Sequence, residues 1–153
     1  MAAHTENEVV INAPLELVWR VTNELEQWPA LFTEYATVEV LERKGSSVLF
    51  RLTMHPDENG KVWSWVSRRT LEVSTHQVSA ERVETGPFEY MKIHWSYEAV
   101  EGGTRMRWEQ DFQMKPTAPV TDEQMARRIN TNSPEQMRII KEKLESGAFR
   151  RPA

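Results

Sequence analysis

Thr104–Met114, TRMRWEQDFQM, decides the fold class. Its residues alternate with a period of two, which is the spacing of a half-buried strand. Met106, Trp108, Gln110 and Phe112 share one face, and Arg105, Arg107, Glu109 and Asp111 share the other. The preceding run, Phe88–Val100, repeats the pattern: Met91, Ile93, Trp95 and Tyr97 oppose Lys92, His94, Ser96 and Glu98. Glu101-Gly102-Gly103 between them reads as a tight hairpin turn. Further back, Gln77–Glu84, Lys61–Val73, Ser47–Met54 and Thr37–Arg43 are strand-like runs separated by turn residues such as His55-Pro56-Asp57-Glu58-Asn59-Gly60. Hairpins in succession predict an antiparallel meander.

Helical signals flank the meander on both sides. Glu8–Asn12 reads as a short first strand, and Ala13-Pro14 opens a helix in which Leu15, Val18 and Trp19 recur at helical spacing. Trp28-Pro29 breaks it, and Leu31, Phe32 and Tyr35 fall on a second short helix or turn. After Pro119, Thr121 and Gln124 resemble a capping box, and Met125, Ile129, Met137, Ile140 and Leu144 form an apolar stripe. Pro134 predicts a kink or break near Asn130–Ser133. The tail with Arg150-Arg151 reads as a frayed end or the start of a linker. Together these features predict an α+β fold in which a curved antiparallel sheet wraps a long C-terminal helix.

Composition narrows the function classes. With 153 residues, 39% hydrophobic and 27% charged, the chain reads as a single domain, 1–153, and as the N-terminal part of a longer protein in one version of that reading. No apolar run approaches the ~20 residues of a membrane span. The N-terminus has no apolar signal core, so a cytoplasmic location is expected. A net charge of −4 without a dense basic run argues against nucleic acid as partner. There is no cysteine, and the spacing of His4, His55, His76 and His94 gives no metal site. Six tryptophans in so short a chain are the unusual feature.

Their placement points inward. In Lys61–Val73, Trp63 and Trp65 select one face as interior, and that face also carries Ser67, Arg69 and Leu71. Arg82 shares a face with Val78 and Ala80, and Gln110 lies among the inward residues of its strand. An unpaired charge in a dry core costs at least several kcal/mol. No inward face so assigned carries a carboxylate near Arg69. A cavity with aromatic walls and a few polar groups removes the difficulty, and that is the usual make-up of a small-molecule site.

Two segments, ELEQWPALFTEY (Glu24–Tyr35) and KVWSWVSRRT (Lys61–Thr70), resemble bacterial aromatic polyketide aromatase/cyclases, and among these the N-terminal domains of tetracenomycin type. The order of elements resembles the helix-grip fold of START and Bet v 1-like proteins. The resemblance runs along essentially the whole chain. It implies a cofactor-independent enzyme that takes a linear poly-β-ketone from an acyl carrier protein and the minimal polyketide synthase. Such an enzyme closes the first ring, C9 to C14 in the tetracenomycin-like case, by an aldol reaction and then dehydrates it. It implies catalytic roles for Arg69 and Tyr35. Trp28, Phe32, Trp63, Trp65, Trp95 and Trp108 map onto pocket walls, with Ser67 on the polar wall. Arg82, Met91 and Gln110 complete the substrate-binding set.

The chemistry of these residue types is consistent with that assignment. A guanidinium stays protonated and cannot act as base, but it can hold a ketone oxygen or enolate with a fixed fork of donors. A phenol such as Tyr35 is the better proton donor, and a neighbouring arginine is expected to lower its pKa. Ser67 lacks an inward histidine to activate it and reads as a hydrogen-bond donor. The alternatives are a START-like carrier of lipid or quinone, and a chaperone-like surface that shields the chain without acid–base chemistry.

Overall fold

The computed structural model describes residues 2–147. The order is β1 (Ala3–Ile11), α1 (Leu15–Asn23), a 3-10 turn (Leu25–Gln27), α2 (Trp28–Leu31), β2 (Tyr35–Lys44), β3 (Ser47–Met54), β4 (Ser64–Glu72), β5 (Gln77–Arg82), β6 (Phe88–Val100), β7 (Gly103–Met114) and α3 (Asp122–Glu145). All strands form one seven-stranded antiparallel sheet ordered β1-β7-β6-β5-β4-β3-β2. The first strand therefore pairs with the last, and the α+β architecture expected from the alternation is present, in the helix-grip arrangement that the resemblance implies.

Several boundaries differ from the sequence reading. β1 begins at Ala3 rather than Glu8, because it pairs with β7 along its whole length from Ala3–Phe112 to Ile11–Thr104. Its first residues are too polar to signal a strand alone; the ladder with β7 recruits them. β2 begins at Tyr35, and register shifts between Tyr35 and Thr37 and between Val40 and Glu42 bend it against β3. β5 ends at Arg82, where the backbone of Val83 and Glu84 turns back to bond the Val66 carbonyl.

The C-terminal helix corrects the expected kink. α3 runs unbroken from Asp122 to Glu145 with Pro134 inside it. Both halves are held down. Met137, Ile140 and Leu144 are buried in the main core, and Met125, Ala126 and Ile129 pack on a second cluster of Phe88, Met91, Phe112 and Met114. Packing at both ends outweighs the one backbone bond that proline removes. The predicted cap is present, with Gln124 N–H donating to Thr121 Oγ1 at 3.1 Å and Thr121 N–H to Gln124 Oε1 at 2.9 Å. The tail around Arg150-Arg151 lies outside the described residues. No helix among them is long and apolar enough to cross a membrane.

Candidate active site

The site is assembled by three rows of the sheet and by the α1–α2 segment laid across them. Arg69 pairs in register with Val48 on one side and Ala80 on the other, Ser67 with Phe50 and Arg82, and Trp95 with Trp108 and Val78. Period-two alternation sends these side chains to the face that α1, α2 and α3 cover. Trp28 opens α2 and its Nε1–H donates to the Thr22 carbonyl at 3.1 Å, so its indole is fixed over the sheet.

Arg69 lies at the centre and is only 3% exposed. Its guanidinium carbon sits 4.3 Å from the Trp95 ring centre and 5.2 Å from that of Trp28. Such faces stabilise a cation through the ring quadrupole. The sequence reading gave it no acidic partner, and none of its hydrogen bonds among the described residues goes to a carboxylate. Instead Nε and Nη2 donate to Asn23 Oδ1 at 3.2 and 2.7 Å. Burial pushes its pKa down to about 10, while Tyr97 and Tyr35 act in the opposite direction. It stays a cation at neutral pH.

Tyr35 is half-buried, stacked 5.8 Å from Trp28 and tilted 4.9 Å from Phe32. It corrects the expectation of a lowered phenol pKa. Burial first, then the Glu34 carboxylate, push it well above 10, and the charges of Arg82 and Arg69 do not offset them. Tyr35 is a neutral proton donor in this setting. Its neighbour Glu34 is half-buried, and burial raises its carboxyl pKa against the opposing effect of its hydrogen bond to Tyr35. Sequence reasoning missed Glu34 because it placed this stretch in a helix or turn; as the residue leading into β2 it lies beside the phenol.

The remaining residues divide. Trp28, Phe32, Trp95 and Trp108 form one aromatic set with Tyr35 and Phe50. Ser67 is buried in the same row as Arg82, whose guanidinium lies 4.0 Å over Trp65 and 4.7 Å from the Phe88 ring. Burial also lowers the Arg82 pKa, to about 10. Gln110 is partly buried between Thr5 and Ile93. Met91 belongs to the second core cluster. Trp63 departs from the expectation: β4 starts one residue later, and Trp63 sits in the preceding loop with Nε1–H donating to Asp57 Oδ2 at 3.0 Å and Lys61 Nζ 3.9 Å over its ring. The turn-rich loop captures it before the strand begins.

Trp95 and Trp108 stack at 4.5 Å, Phe32 lies 6.0 Å from Trp108, and Trp28 lies 5.9 Å from Trp95. These rings pack on one another, since ring-on-ring contact removes apolar surface from water. Hollows of about 400 and 430 Å³ open on the outer face of the sheet, around Arg68. On the inner face the Trp108 Nε1–H is buried without a hydrogen-bond partner, an arrangement that costs about 1–3 kcal/mol. On the outer face His4, Glu6 and Glu109 bring ligand-type atoms within 4.8 Å of one another. Arg107 pairs with Glu6 there at 2.6 Å, so that carboxylate is already neutralised.

Comparisons with known proteins agree with this architecture. Residues 11–141 match the family described as polyketide cyclase/dehydrase and lipid transport. A protein of Streptomyces cyaneus described as a "putative polyketide cyclase" is 62% identical over 145 residues, covering 95% of each chain. One of Streptomyces halstedii with the same description is 60% identical over 108 residues, covering 71% of this chain and 99% of that protein. The crystal structure of the Zhui aromatase/cyclase from a Streptomyces species superposes with a TM-score of 0.85 at 20% identity, covering 98% of both chains, a likeness of fold. On the match along most of its length and on these relatives, the chain belongs to the polyketide cyclase/dehydrase and lipid transport family.

Proposed function

We propose that this chain, acting as one aromatase/cyclase domain, closes and dehydrates the first ring of a linear poly-β-ketone, joining C9 to C14. The coarser reading, an enzyme of polyketide cyclisation, follows from relatives at 62% and 60% identity. The observation that carries the finer one is Arg69: a buried cation between two indoles, held by a neutral amide.

The residues supply what an aldol closure needs. A base removes a proton from the methylene between two ketones, and the resulting enolate carbon bonds to a second ketone carbon. The electrons of that carbonyl move to its oxygen, which takes up a proton. Loss of a second methylene proton and of the hydroxyl, as water, leaves a double bond, and enolisation completes the ring. Glu34 is the carboxylate placed to accept a proton, its affinity raised by burial. Tyr35 is the neutral donor to the new alkoxide. Arg69 holds the negative charge that develops on oxygen, and one well-placed donor of this kind contributes about 3–4 kcal/mol. The aromatic walls decide which carbons meet. Substrate enters by parting the stacked rings and arrives tethered to an acyl carrier protein of the minimal synthase.

The test is reconstitution with a minimal polyketide synthase, with products identified by mass spectrometry and NMR. The wild type is expected to channel the chain into one first-ring product. Arg69→Ala should return the mixture formed without the protein while its circular dichroism is unchanged. Full channelling by that variant removes Arg69 from the mechanism; a wild type that binds the chain and leaves it uncyclised makes the protein a carrier.

A further inference from the structure

We infer that Asn23 is the positioning residue for Arg69, and that its neutrality leaves the guanidinium charge free for an anionic oxygen of the ligand. The inference rests on the reading of Arg69 given above and adds a residue that no motif marks. Asn23 closes α1, and its Oδ1 accepts from both Nε and Nη2 of Arg69. The other end of the amide is fixed, because Nδ2 donates to the Trp19 carbonyl at 2.8 Å. Only the oxygen can then face Arg69.

The turn that carries Asn23 is itself locked. Thr22 Oγ1 donates to the Val18 carbonyl at 2.7 Å, which leaves it to accept from the Tyr97 hydroxyl, also at 2.7 Å. Burial pushes Tyr97 up to about 12, so it remains a phenol and a donor. Its ring packs edge-on against Trp19 at 5.1 Å. α1 is thus tied to β6 through Thr22 and to β4 through Asn23.

The choice of residue type is the informative part. A buried arginine with a purely structural task is ordinarily paired with a carboxylate, which cancels its charge. Here the acceptor aims the fork without cancelling anything, and the two indole faces also leave the charge intact. An enolate or phenolate oxygen arriving between Trp28 and Trp95 therefore meets a full positive charge.

The experiment measures binding of 2-naphthoate and of its neutral isostere 2-naphthamide by quenching of tryptophan fluorescence. The wild type should prefer the anion by about tenfold or more, a preference that an uncancelled cation confers. Asn23→Asp should abolish that preference. Asn23→Ala should weaken naphthoate about fivefold or more with naphthamide unchanged, and it carries the test alone if the Asp variant does not fold. A wild type without preference, a variant that keeps the wild-type preference, or a loss equal for both ligands overturns the inference; the last marks a packing role only. Because no polyketide is involved, the cyclase reading can fail in its own assay while this result stands.

Discussion

At the scale of single residues, burial holds protons away from their ordinary ranges. Burial raises the Glu34 carboxyl above its ordinary 4.5. The folded state then keeps a proton that the unfolded chain has released, so stability falls as pH rises from that ordinary value through the raised one. Glu34→Gln, neutral throughout, should melt higher than wild type at a pH of about 8 and no higher at about 4. In the synthase assay the same variant should lose the acidic limb of the pH–rate profile. An unchanged limb would take the proton-accepting role from Glu34. Arg69, near 10, and Tyr35, well above its usual value, keep their protons across neutral pH and produce no limb there. Trp108 bears on shape. Its ring is stacked on Trp95 at 4.5 Å and is 5% exposed. Trp108→Ala should cost about 3–5 kcal/mol, read by denaturant titration, and should broaden the product mixture. An unchanged mixture would make Trp108 core alone.

At the scale of elements, the close approach of β1 to the β6–β7 hairpin is set by one glycine. Gly103 has φ +136, and a Cβ there would lie 2.0 Å from the Ile11 carbonyl oxygen, because β1 ends across the β6–β7 hairpin. Gly102 has φ +90 and open space. Gly103→Ala should therefore cost at least about 3 kcal/mol and Gly102→Ala about 1, a contrast readable in paired thermal melts; equal losses would contradict this packing. Much at this scale was legible in the sequence. The alternation of Met106, Trp108, Gln110 and Phe112 gave β7 its inward face, and Thr121 with Gln124 marked the start of α3. What was not legible depended on long-range partners. The polar start of β1 is strand only because β7 lies beside it, and α3 passes through Pro134 because both of its halves are anchored.

At the scale of the whole molecule, the chain packs two apolar clusters beneath α3, and Arg69, the one guanidinium in the buried class among the described residues, lies against the larger. Arg69 and Trp95 were readable as inward residues from strand alternation, and Trp28 from the resemblance alone. Asn23 and Tyr97 were not, because a polar residue at a helix end and a tyrosine in a strand carry no local signal of meeting Arg69. Nor was the stacking of the aromatic rings on one another, which depends on ring-to-ring distances that no periodicity encodes. The most direct measurement is a crystal structure of the protein with a polyphenolic aromatic product bound. The ligand is expected between Trp28 and Trp95, with a ligand oxygen within about 3.2 Å of an Arg69 nitrogen and the Trp95–Trp108 stack opened. A ligand in the outer hollow beside Arg68, with the interior rings still stacked, would contradict it.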